Sequence, residues 1–95
     1  MFIGAGQISC RLHDCHSLKA KRGVVKTIIR RLRNEFNASV AEVDANDLHQ
    51  RAEIGFSIVG NDHAVINSRM DKVFNMAEDL GLAEIMNTDM EIIRL

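Results

Sequence analysis

The sequence predicts a single ferredoxin-like α+β domain, a βαββαβ sandwich in which one four-stranded antiparallel sheet carries two helices on one face. Three observations predict it. Segments with strand-like alternation and segments with helical spacing follow one another in the order β-α-β-β-α-β. Each helical segment opens behind a polar capping residue. The chain has 95 residues, enough for one domain covering 1–95 and too few for a second.

The first strand is expected within residues 2–13, where Ile8, Cys10 and Leu12 fall on one face and Gln7, Ser9 and Arg11 on the other. Ser17 is a good N-cap for a helix over about 17–36, with Leu18, Val25, Ile28, Ile29, Leu32 and Phe36 at helical spacing. Asn37 can end that helix in a left-handed turn. Residues 38–44 read as a second strand and ANDLHQ as a turn-rich connection. Residues 51–60 read as a third strand with Ala52, Ile54, Phe56 and Ile58 on one face. Asn61 or Asp62 caps a second helix that ends at Leu80-Gly81, with an apolar stripe of Val65, Ile66, Met70, Val73, Met76, Ala77 and Leu80. Residues 83–95 form the last strand, with an interruption expected around Asn87-Thr88-Asp89. The methionines at 70, 76, 86 and 90 are expected to fill the core.

Composition narrows the function. No apolar run approaches the ~18 residues of a membrane span, and the N-terminal residues lack the basic start of a secretion signal. Two cysteines are too few for a disulfide scaffold, so a reduced, cytoplasmic setting is expected. The formal net charge of −1 conceals a strong asymmetry: all but one of the charged residues before Glu35 are basic, and twelve of the thirteen acids follow Asn34. Such polarity points to an anionic partner.

The basic charge concentrates in the first helix. Lys19, Lys21, Arg22, Lys26, Arg30, Arg31 and Arg33 lie between Ser17 and Asn34 with no acid among them. At about 100° per residue, Lys19, Arg22, Lys26, Arg30 and Arg33 share an arc of about 80° beside the apolar arc. A solvated helix face usually interleaves acids for pairing one turn apart, and this one does not. Arg30, Arg31 and Arg33 are favoured by the C-terminal end of the helix dipole. Lys19, Lys21 and Arg22 oppose its N-terminal end, which makes them the sharper indication of a seat for phosphate. The expected nucleic-acid contacts are therefore Lys19, Lys21, Arg22, Lys26, Arg30 and Arg33. The other face of the sheet, with Gln7, Ser9, Arg11, Glu53, Gly55 and Ser57, lacks the aromatics that stack on single-stranded bases.

Other groups are weaker candidates. His13, Cys15 and His16 share a loop and are soft or imidazole ligands, but their spacing fits no standard zinc site, and an exposed loop beside one core thiol is expected instead. Cys15 precedes a cation-rich helix start without an evident base. Glu42, Asp44, Asp47, His49 and Glu53 are expected to form cross-strand charge pairs, for example with Arg51, rather than an acid–base site. No phosphate-loop, dinucleotide or triad motif is present.

Ser17-Leu18-Lys19 with Lys21-Arg22, then Val40-Ala41-Glu42-Val43, then Gln50-Arg51-Ala52-Glu53-Ile54-Gly55 and Asn61-Asp62, resemble the YlxP-like family of small uncharacterised bacterial proteins. The resemblance covers almost the whole chain and implies a ferredoxin-like fold. It also implies an RNA or ribosome context, because the family's genes often lie beside translation and ribosome-maturation factors. It carries no catalytic residue. The sequence departs from the family at His13-Asp14-Cys15-His16, where relatives commonly have a Pro-containing loop, and at His49, where a Trp is common.

The expected function is non-enzymatic binding of structured RNA or a ribosomal surface, without cofactor, metal or membrane. The alternative is a protein-interaction module or homo-oligomer that sets the basic helix or the edge strands against an acidic protein surface.

Overall fold

The computed structural model describes residues 1–95. Its elements are β1 (Phe2–Arg11), α1 (Leu18–Phe36), β2 (Ser39–Asp44), β3 (Arg51–Gly60), α2 (His63–Asp79) and β4 (Glu84–Arg94). The sheet runs β2-β3-β1-β4 with every neighbouring pair antiparallel. This is the ferredoxin-like sandwich expected from the order of elements. α1 packs over β2 and, to a lesser extent, β3, and α2 packs over β1, β4 and β3.

The helix ends follow local chemistry. Ser17 caps α1 by accepting a hydrogen bond from the Ala20 amide at 3.1 Å, and Asn37 closes it with φ 49°. Asp62, rather than Asn61, caps α2 through the Val65 amide at 3.0 Å. Gly81 takes φ 64° just beyond α2, a conformation glycine adopts without cost.

The core lies between sheet and helices. Ile8, Cys10, Ile54, Phe56 and Ile58 meet Val25, Ile28 and Leu32 from α1 and Ile66, Met70 and Val73 from α2. Gly6 makes room for the Phe56 ring, which a Cβ there would overlap, and Phe56 packs edge-on against Phe74 with centroids 5.3 Å apart.

Several expectations need correcting. β1 stops at Arg11 instead of reaching residue 13, because the chain turns at Asp14 with φ 63°; Leu12 still donates its amide to Gln50. β4 runs unbroken through Asn87-Thr88-Asp89. Its irregularity is a bulge at Met86, since Ser9 opposes Asn87 while the next residue, Cys10, opposes Ile85. Met86 and Val65 are exposed and leave the predicted core. A second bulge lies in β2, where Glu42 opposes Ile54 and Asp44 opposes Glu53. The extra residue, Val43, lies over Gly55 on the helix-free face of the sheet.

Candidate nucleic-acid interface

Five of the six expected contact residues stand together on the surface. Lys19, Arg22, Lys26, Arg30 and Arg33 are all exposed, and none forms an ion pair. From Lys19 to Arg33 the stripe spans about 21 Å at 1.5 Å per residue. Lys26, Ile29, Arg30, Arg33 and Asn34 line one depression of about 470 Å³ on its C-terminal half. Arg31 is also exposed but lies off the stripe, on the side facing Lys72 and Asp79 of α2.

Lys21 does not belong to the interface. Its residue is 1% exposed, and its ammonium donates to the Ala45 carbonyl and sits 2.8 Å from Glu42 Oε2. That carboxylate oxygen is buried and has no hydrogen-bond partner, so the Lys21 charge is its one compensation. Lys21 therefore ties the start of α1 to the end of β2. Ala45, with φ 60°, turns its carbonyl onto the ammonium. The wheel carries the signal: Lys21 falls about 200° from Lys19, between Ile28 and Leu32 on the buried arc.

Several of the remaining candidates have structural partners, whereas Asp47, His16 and His49 are exposed and form no ion pair. Arg51 pairs with Glu53 along its own strand at 3.1 Å, not across strands as expected. Glu53 is buried; it also accepts from Ser9 Oγ at 2.6 Å and Gln7 Nε2 at 3.4 Å, so each of its oxygens has a donor. Asp44 turns back to accept the Ala45 amide. His13 Nε2 meets Glu84 at 2.6 Å. Cys15 is buried in the apolar cluster, contrary to the expected exposed loop, and both cysteines are free. Burial raises the Cys10 thiol from 9.0 to about 11, with a further contribution from the Glu53 charge. No three His, Cys, Asp or Glu side chains converge as metal ligands, and the surface depressions are shallow.

The helix-free face of the sheet is mixed. Ile3 is flanked by its direct partners Val59 and Ile93, both strongly exposed, while Asp89 and Glu91 line the β4 side. No helix is long and apolar enough to cross a membrane.

Fold and surface together define a small α+β protein with an unpaired cationic stripe along one helix and no enclosed pocket. Residues 3–90 match the family described as "Protein of unknown function (DUF503)", and the chain belongs to that family. It is 34% identical over 71 residues to "Uncharacterized protein YlxP" of Bacillus subtilis, an alignment covering 75% of this chain and 77% of the relative. The likeness expected from the motifs between Ser17 and Asp62 is thus confirmed at the level of the family. Among solved structures, the Arabidopsis thaliana protein At3g17210 superposes with TM-score 0.53 at 13% identity, covering 98% of this chain and 94% of that one. The de novo designed protein Foldit4 gives TM-score 0.52 at 10% identity, covering 99% and 97%. At such identities the likeness concerns the fold alone.

Proposed function

We propose that this protein binds structured RNA, or a ribosomal surface exposing RNA phosphates, through the outer stripe of α1, and that it is not an enzyme. One observation carries the reading: Lys19, Arg22, Lys26, Arg30 and Arg33 form a continuous exposed row with no acid paired to any of them. The acidic second half of the chain does not neutralise this row within the protomer. Five clustered cations without counter-charges repel one another, and a polyanion relieves that repulsion while releasing its condensed counterions. Lys and Arg along one helix face grip backbone phosphate by charge and hydrogen bonding, without reading sequence.

The candidate acid–base groups support binding over catalysis. Glu42 faces Lys21, both oxygens of Glu53 already accept hydrogen bonds, and Cys15 is buried. A cytoplasmic location would suit two free thiols and an RNA ligand.

A second reading has its own support. The exposed Val59 and Ile93 beside Ile3 leave an apolar patch on the helix-free face, and β4 presents an 11-residue free edge. Both suit self-association. Purification at low salt separates the two readings. RNA that co-purifies with the wild type and is lost from a Lys19→Glu/Arg22→Glu/Lys26→Glu variant is the expected result. Protein free of RNA that elutes as an oligomer would replace the first reading with the second.

A further inference from the structure

Cations also stand beyond the start of α1, at Arg11 and Arg51, beside two loops that carry the exposed acids Asp14 and Asp47. The β1–α1 loop and the β2–β3 loop meet at the same end of the molecule, where Cys15, His16, Leu48, His49, Gln50 and Arg51 line a cleft of about 410 Å³. His16 immediately precedes the α1 cap, one turn from Lys19. On the sheet side, Arg51 is the direct cross-strand partner of Arg11. Like charges placed opposite one another on one sheet face oppose folding, yet only one of the two has an acid. A single Arg51 nitrogen, Nη2, bonds Glu53 at 3.1 Å, which leaves most of its five donors free. Glu84, the Cα partner of Arg11 on β4, lies 2.6 Å from His13 instead. Arg11 forms no ion pair and is exposed, as are His16 and His49.

We propose that this cleft and the adjoining rim of the sheet form a second phosphate seat, in which Arg51 from the cleft and its cross-strand neighbour Arg11 from the rim, with the His16 and His49 rings as hydrogen-bonding groups, hold a phosphate of an RNA strand leaving the α1 stripe. Guanidinium forks match phosphate oxygens in a way ammonium groups do not. The seat carries the contact around the end of the molecule from the helical layer to the rim of the sheet. The proposal rests on the RNA reading above and deepens it.

The test uses Arg11→Gln/His49→Ala, two exposed positions without ion-pair partners, so the fold is retained. Binding of a short RNA hairpin with a single-stranded tail is followed by anisotropy over a range of salt. The expected result is a several-fold weaker affinity and a salt slope smaller by about one, the loss of one phosphate contact. Wild-type affinity and slope in this variant, alongside lost binding in Lys26→Glu/Arg30→Glu/Arg33→Glu, would overturn the cleft and leave the helix reading standing. A titration with inorganic pyrophosphate, read by amide NMR shifts, addresses the cleft independently of RNA. Shifts at His16 and His49–Arg51 that vanish in the variant support the seat even if the hairpin does not bind, which would overturn the helix reading alone. Absence of shifts there in the wild type overturns the seat.

Discussion

Lys21 and Glu42 show how one pair of charges can be removed from a binding surface and given to the fold. A buried ammonium is tolerated with a close counter-charge and a hydrogen-bond acceptor, and Glu42 supplies the first and the Ala45 carbonyl the second. Removing one partner strands the other. Glu42→Ala is expected to lower stability by about 3–5 kcal/mol, whereas Lys26→Ala on the exposed stripe changes it by no more than about 0.5 kcal/mol. Chemical denaturation of the two variants checks this, and equal small losses would contradict a structural role for the pair. Cys10 makes a second prediction. Its thiol is raised from 9.0 to about 11 by burial and then by Glu53, so the unfolded chain ionises it first. The stability it contributes is intact below about pH 9 and is lost as pH rises toward about 11. The difference in stability between wild type and Cys10→Ala should therefore shift against the wild type over that interval. A difference constant with pH would contradict it.

At the scale of elements, what was legible in the sequence was what is encoded locally. Ser17, Asn37 and Asp62 mark helix ends because each satisfies or terminates its own backbone, without help from distant residues. Alternation in β1 and β3 fixed which face turns inward because a one-residue slip would expose Ile8, Ile54 and Phe56 together. Features that depend on pairing were not legible. The bulges at Met86 and Val43 exist only relative to β1 and β3, and the partner that buries Lys21 lies 21 residues away. The cleft at Arg51 was equally hidden, since two loops distant in sequence meet there. Two substitutions probe this scale. Ser17→Ala should cost about 1 kcal/mol by releasing the Ala20 amide. Gly6→Ala should cost about 1–3 kcal/mol, because its methyl group would press on Phe56, which is itself packed on Phe74. A thermal melt as high as wild type in either variant would contradict the packing described.

For the whole molecule, the fold converts a charge bias along the chain into a bias across space. α1 lies over β2 and part of β3, while α2 and β4, in which Asp71, Glu78, Asp79, Glu84, Asp89 and Glu91 outnumber Arg69, Lys72 and Arg94, occupy the other side. A polyanion approaching such a particle is steered toward α1 and repelled from the β4 edge. The most direct measurement is the salt dependence of binding to an RNA hairpin, for the wild type and for Lys26→Glu/Arg30→Glu/Arg33→Glu. Five phosphate contacts predict a log–log slope of about −3.5 to −4.5 for the wild type, and reversal of three cations should remove more than half of it along with most of the affinity. Binding that ignores salt, or survives the reversal unchanged, would contradict α1 as the RNA-binding surface.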